Sequence, residues 1–151
     1  MQKILYQNDE GGLCIVHPTG ALSLEETIQK SVPAGVTYQV IDGRDIPADR
    51  TFRNAWMYAG VPAIAIDMAK AIIIKQDMIR VQRTPLLAAL DVEYMMALEK
   101  KDEIAAAEIA AKKQALRDAT IDRPIIDAKT PEELKAADPI KAIISNEAVK
   151  A

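Results

Sequence analysis

Apolar and polar positions follow two rhythms along this chain, a short-period one in the first third and a helical one from Asp67 onward. Residues 3–6 and 13–17 are short β-rich runs separated by the turn cluster Asn8-Asp9-Glu10-Gly11-Gly12, and together they predict a β-hairpin. Ser23-Leu24-Glu25-Glu26 has the form of a capping box: the Ser23 hydroxyl accepts from the third helical N–H while Glu26 reaches back. The helix it opens ends before Val32-Pro33-Ala34-Gly35. Val36 to Ile41 alternates, is rich in β-branched residues, and predicts a third strand closed by Asp42-Gly43. The order β-β-α-β predicts a three-stranded antiparallel sheet with one helix on a face.

Residues 44–66 are transitional, with Pro47 and Pro62 expected to break regular structure. Asp67 then caps a helix predicted over 68–83, where Met68, Ile72 and Ile79 share a face that Ile73 and Ile74 broaden. Thr84-Pro85 is a second start signal, a capping hydroxyl followed by proline at the one helical position where its missing N–H costs nothing. Leu87, Leu90, Tyr94 and Leu98 follow at 3-4-4 spacing. Lys100-Lys101-Asp102 fits a tight helix–helix connection or an exposed turn of one long helix, and 103–118 places Ala105, Ile109, Lys112 and Leu116 along one side. Small residues at 105–107, 110 and 111 allow close approach of a neighbour. The preferred arrangement is an antiparallel hairpin of 85–99 on 102–118. Thr130-Pro131-Glu132-Glu133 and Asp138-Pro139 start two short helices, whose Leu134, Ile140, Ile143 and Ile144 need a surface to bury against. The expected organisation is α+β: a small N-terminal antiparallel sheet with one helix over 1–60, a helical hairpin region over 61–120, and short helices with an extended segment over 121–151.

Composition narrows the function. Half of the 151 residues are apolar, yet six are aromatic and twenty-five are alanine, so large side chains for a thick core are scarce. Five of the six aromatics lie in residues 1–58, and the remainder of the chain has only Tyr94. Nineteen basic and twenty-two acidic residues give a net charge of −3, spread evenly, so no segment has the basic excess that neutralising phosphates requires. Nucleic-acid binding as a main activity is disfavoured. No apolar run approaches the roughly 20 residues of a membrane span, and polar Gln7 to Glu10 interrupts any signal-peptide core. A single cysteine, Cys14, in the run Leu13 to Val16, is expected as a buried thiol.

The inventory for catalysis is thin. His17 is the only histidine and ends a strand, where a solvated or capping role is expected. Gly11-Gly12 lacks the lysine and hydroxyl of a phosphate loop, and Ser23, Ser31 and Ser145 sit in no nucleophile elbow. Asp42, Asp45 and Asp49 lack the glycine and terminal glutamate of a calcium loop. No catalytic, cofactor or metal residue is assigned, and no small-molecule substrate. The densest cluster is Arg50 to Trp56. There Phe52 and Trp56, four apart, are expected to pack as one face of a short helix while Arg50 and Arg53 pair with nearby acids; alternatively Arg50, Arg53 and Trp56 form a protein-binding hot spot. Met68, Met78, Met95 and Met96 are expected as core filler.

Two stretches carry a resemblance. Val32 to Val36 through Ile46-Pro47-Ala48-Asp49-Arg50-Thr51-Phe52-Arg53-Asn54-Ala55-Trp56 resembles a stretch of small proteins encoded in tailed-phage and prophage structural gene clusters. Arg83 with Leu86-Leu87-Ala88 and Asp91, then Lys113-Gln114-Ala115-Leu116-Arg117-Asp118, is similar to the phage tail assembly chaperone-like family, which carries Trp after the Asp where this chain has Val92. The resemblance covers about half the chain. It implies a role without catalysis in building or decorating a phage tail or its fibres, through contact with tail or tail-fibre proteins and self-association in the bacterial host cytoplasm. The alternative it leaves open is a permanent virion subunit. The contact residues implied are Arg83, Leu86, Leu87, Asp91, Leu116, Arg117 and Asp118. Within the chain, the same Leu116-Arg117-Asp118 at a helix end is equally placed to dock on Leu86 and Leu87. With a new helix starting at Pro85, Arg83 is expected outside it, where it meets something other than Asp91.

Overall fold

A computed structural model describes residues 1–60 and 63–148, with these elements in order: β1 (Gln2–Gln7), β2 (Leu13–Val16), α1 (Leu24–Ser31), β3 (Tyr38–Asp42), β4 (Trp56–Tyr58), β5 (Ile64–Ile66), α2 (Met68–Glu99), α3 (Glu103–Asp118), α4 (Arg123–Ile126), α5 (Pro131–Ala136) and α6 (Pro139–Ala148). Short 3-10 turns occupy Gly43–Asp45, Arg53–Ala55 and Ala119–Ile121. Pro62, expected to break regular structure, lies outside the described residues, as do residues 149–151 of the C-terminal segment. The fold is α+β, with its strands in one unit, Met1–Ala71, and a helical unit, Ile72–Ala151, after it.

In the first unit, β1 is the central strand of an antiparallel sheet of order β2-β1-β3, with Leu5 opposite Ile15 and Gln39. The hairpin turn is closed by the Asn8 side chain, which accepts from the Gly12 N–H, and by Gly11 at a positive φ that an L side chain resists. Successive strand residues face opposite sides, and Ile4 and Leu5 are both fully buried, so each face of the sheet is covered at its centre. The capping box at the start of α1 forms as its sequence predicts.

The Leu5 face packs with Ile41 on Trp56 and Ile64 of a second sheet, β4 paired antiparallel with β5, which the sequence did not reveal. Three-residue strands are too short for alternation to show. This sheet also corrects the expected short helix: Arg53–Ala55 is a 3-10 turn, and Trp56 opens a strand rather than sharing a helical face with Phe52. Both side chains nevertheless anchor the unit, each 3% exposed. Cys14 is half-buried beside Tyr6, whose hydroxyl it holds above the usual tyrosine range through a side-chain hydrogen bond, with burial adding to the shift.

Asp67 caps α2 as expected, accepting from the N–H groups of Ala69 and Lys70. The helix then runs unbroken through Thr84-Pro85 to Glu99, so the predicted second start does not occur and Arg83 is helical. Proline in a helix interior removes one ladder bond and costs about 3 kcal/mol. Here the orphaned carbonyl belongs to Val81, a residue 74% exposed, while the Thr84 hydroxyl donates to the Arg80 carbonyl at 2.8 Å. Contacts of α2 with α3 on both sides of Pro85, described below, offset the rest.

The turn between α2 and α3 closes in three residues. The Asp102 N–H donates to the Ala97 carbonyl and the Lys101 N–H to the Leu98 carbonyl, a Schellman arrangement, and the Asp102 carboxylate then accepts from Ala105 to cap α3. Lys101 takes the left-handed conformation, φ 56°, where glycine is preferred. Lys101→Gly is therefore expected to stabilise the chain by up to about 1 kcal/mol, seen as a higher urea midpoint.

The last thirty residues, which pattern alone left with nothing to bury against, contain the most deeply buried large side chains of this unit, Ile125 on α4 and Leu134 on α5. Each short helix is capped by the residue before its proline or its first turn: Asp122 for α4, Thr130 for α5, and Asp138 at the start of α6. Ile140 is buried and Ile144 is not.

Candidate functional site

The sequence-derived contact residues fall into two groups, one in each unit. In the first unit, Trp56 is buried while Arg50 and Arg53 are exposed. The nearby acids are used locally: Asp42 binds Arg44 at 3.1 Å, and Asp49 accepts from the Thr51 backbone and hydroxyl. His17, also exposed, titrates below the ordinary histidine value, from partial desolvation first and then from the positive charges of Lys3, Arg50 and Arg53. The cluster is thus a buried aromatic anchor beside a cationic surface. The Trp56 indole N–H and the Gln39 side-chain oxygen are buried without hydrogen-bond partners among the described residues.

In the second unit the structure assembles the residues of the Arg83–Asp118 pattern across the α2–α3 hairpin. Arg83 projects from the middle of α2 onto the C-terminal end of α3, where one guanidinium nitrogen donates to the carbonyls of Leu116, at 3.2 Å, and Arg117. These carbonyls are among the four that an α-helix leaves unsatisfied at its C-terminus, the end at which positive charge is favoured. About two helical turns earlier on α2, Gln76 donates to the Thr120 carbonyl, in the 3-10 turn after α3, at 3.0 Å. Asp91 forms an ion pair with Lys113, whose ammonium also lies 5.0 Å from the centre of the Tyr94 ring. Rising positions on α2 thus meet falling positions on α3, the antiparallel order expected of the hairpin.

Leu116 is buried, and Asp118 accepts from Gln114 one turn back along α3. The Arg117 side chain is exposed; its part in the cluster is its carbonyl. The expectation that Arg83 meets something other than Asp91 holds, but the partner is the backbone of the same chain. Leu86 and Leu87 are half-buried. Beside them lies an open groove of about 230 Å³ whose lining includes Leu86, Leu90, Leu116, Ile143 and Ile144, with Glu93 and Lys112.

Sequence reasoning missed Gln76 and the backbone acceptors of Arg83, because a carbonyl has no residue signature. It also misplaced the methionines: Met78, Met95 and Met96 are exposed rather than core filler. Val92, where the resembling family carries Trp, is 61% exposed.

Among the described residues, no cluster of three or more His, Cys, Asp or Glu side chains is arranged to hold a metal ion, and no helix is long and apolar enough to cross a membrane. No protein-family model, curated protein or solved structure matches the chain.

Proposed function

We propose that this chain acts in phage morphogenesis as a tail or tail-fibre assembly chaperone, working by protein–protein contact in the bacterial host cytoplasm and without catalysis. The reading rests on the resemblance, and the observation that carries it is the convergence of Arg83, Asp91, Lys113, Leu116 and Arg117 across one hairpin. Residues 34 positions apart in sequence meet there, and their polar groups are satisfied within the chain. Beside them the hairpin and α6 line a groove in which Leu86, Leu90, Ile143 and Ile144 lie alongside the charged Glu93 and Lys112. A concavity of apolar side chains with a few charged ones, on an internally satisfied frame, is suited to receiving a segment of another protein. The exposed Arg50 and Arg53 add a cationic surface on the other unit.

In the phage or prophage that encodes the chain, deleting it is expected to abolish tailed particles, while quantitative mass spectrometry of wild-type particles finds it absent. Stoichiometric presence in purified particles overturns the transient role in favour of a permanent virion subunit. Normal tailed particles without the chain overturn the assembly role altogether.

A further inference from the structure

The outward side of α2 bears an apolar seam that nothing in the described chain covers. Ile74, Met78, Val81, Pro85, Ala88, Val92 and Met95 succeed one another at spacings of 4-3-4-3-4-3, the spacing of a and d positions in a coiled coil. Ile74 is half-buried, and from Met78 to Met95 all six are exposed, Val81 and Val92 by 74% and 61%. The residues that meet α3 or the turn after it, among them Gln76, Arg83, Leu90 and Tyr94, lie on the opposite side of the helix at 100° per residue. α2 therefore has two apolar faces, of which the hairpin uses one.

We infer that a second copy of this chain covers the outer face, α2 against α2 in antiparallel orientation about a two-fold axis between positions 86 and 87. Self-complementarity selects this occupant. With that axis, Met78 meets Met95 of the second copy, Val81 meets Val92, and Pro85 meets Ala88, so six layers are apolar and the proline ring lies against the smallest side chain of the seam. The flanking positions pair Lys75 with Met96, Gln82 with Ala89, Asp77 with Leu98, and Thr84 with Asp91, and no like charges meet. The parallel alternative stacks Pro85 on Pro85 and places Glu99, the next seam position, against Glu99, whereas the antiparallel one places each Glu99 against Ile74 at the two ends of the seam, outside its six apolar layers. Asp77 and Asp91 are already paired, with Arg80 and Lys113, so closing the seam strands neither charge.

The size is that of a weak association. The paired seam, Met78 to Met95, is about 27 Å long at 1.5 Å per residue, and side by side two helices about 10–12 Å wide bury on the order of 600 Å² in total, in the range of weak, transient interfaces, so a high protein concentration is needed to populate the dimer. The dimer is independent of the assembly role proposed above, since it follows from this helix alone and is measured without any phage component.

Light scattering coupled to sizing chromatography of the full chain, at about 100 μM, is expected to give a dimer. Val81→Lys with Val92→Lys places like charges in two layers and raises the dimer dissociation constant about a hundredfold or more. Val81→Glu with Val92→Lys distinguishes the orientations. In the antiparallel pair the introduced carboxylate meets the introduced ammonium and the dimer is retained; in a parallel pair like meets like and it is lost. Both sites are exposed in the single chain, so circular dichroism should show helix content unchanged in every variant. A wild-type monomer, or a dimer indifferent to the double lysine change, overturns the assignment and leaves the seam to a helix of another protein. Loss of the dimer in the Glu/Lys variant overturns the antiparallel pairing.

Discussion

Trp56→Ala is expected to lower the stability of the first unit by about 3–5 kcal/mol, the range for removing a large aromatic from a packed core. Trp56 is 3% exposed and joins Leu5, Ile41 and Ile64 in the layer between the two sheets, so the cavity left would open where the sheets meet. A unit of this size loses roughly 4–8 °C of melting temperature per kcal/mol, so calorimetry should register a fall of about 20 °C. Trp56→Phe should cost far less, about 1 kcal/mol, because it keeps an aromatic ring in the layer and removes an indole N–H that has no buried partner. Loss of stability is expected before any loss of partner binding. Unchanged melting with lost binding would return Trp56 to the role of a contact residue.

Arg83→Ala is expected to cost about 2–3 kcal/mol, because it leaves two carbonyls at the end of α3 without the charged donor that satisfies them. Arg83→Lys should recover only part of this, since an ammonium on a flexible stem does not hold two successive carbonyls as a fixed guanidinium does. Urea denaturation of the three proteins would rank them wild type, Lys, Ala. If Ala and wild type unfold together, Arg83 is not the clasp of the hairpin, and its contacts at α3 are incidental.

What was legible in the sequence was local. Ser23, Asp67, Thr130 and Asp138 all cap as their neighbours predict, because a cap is decided within three or four residues. The β-β-α-β order and the antiparallel sheet followed from turn clusters and alternation in the same way. What failed depended on distance. β4 and β5 each have three residues, and Trp56 sits in a strand because Ile66 is opposite it, not because of the residues beside it. The seam of α2 was hidden for a related reason. Two apolar faces on one helix blur into the run Ile72-Ile73-Ile74 and the pair Met95-Met96, and only knowing which face α3 takes separates them.

The contact residues fared likewise. Arg83, Asp91, Leu116 and their neighbours do converge, but the chain itself occupies Arg83 and Asp91. A pattern of residues that acts together reveals that a structure needs them. Whether the need is internal or belongs to a partner depends on where the helix ends lie, and a continuous α2 decides it for Arg83.

That continuity has a consequence for how the molecule comes apart. Thr84 and Pro85 keep the residue types of a helix start, although the Thr84 hydroxyl here donates back to Arg80, and packing on α3 through Arg83 and Asp91 helps keep α2 whole. When that packing opens, the chain falls back on its local signals: the segment after Pro85 remains a helix with its own beginning, and the segment before it a helix capped by Asp67. α2 thus has a built-in seam of failure at its middle rather than at its ends, and the first amides to lose protection from solvent exchange should be those of Leu86 and Leu87, whose carbonyl partners on Gln82 and Arg83 lie across the break.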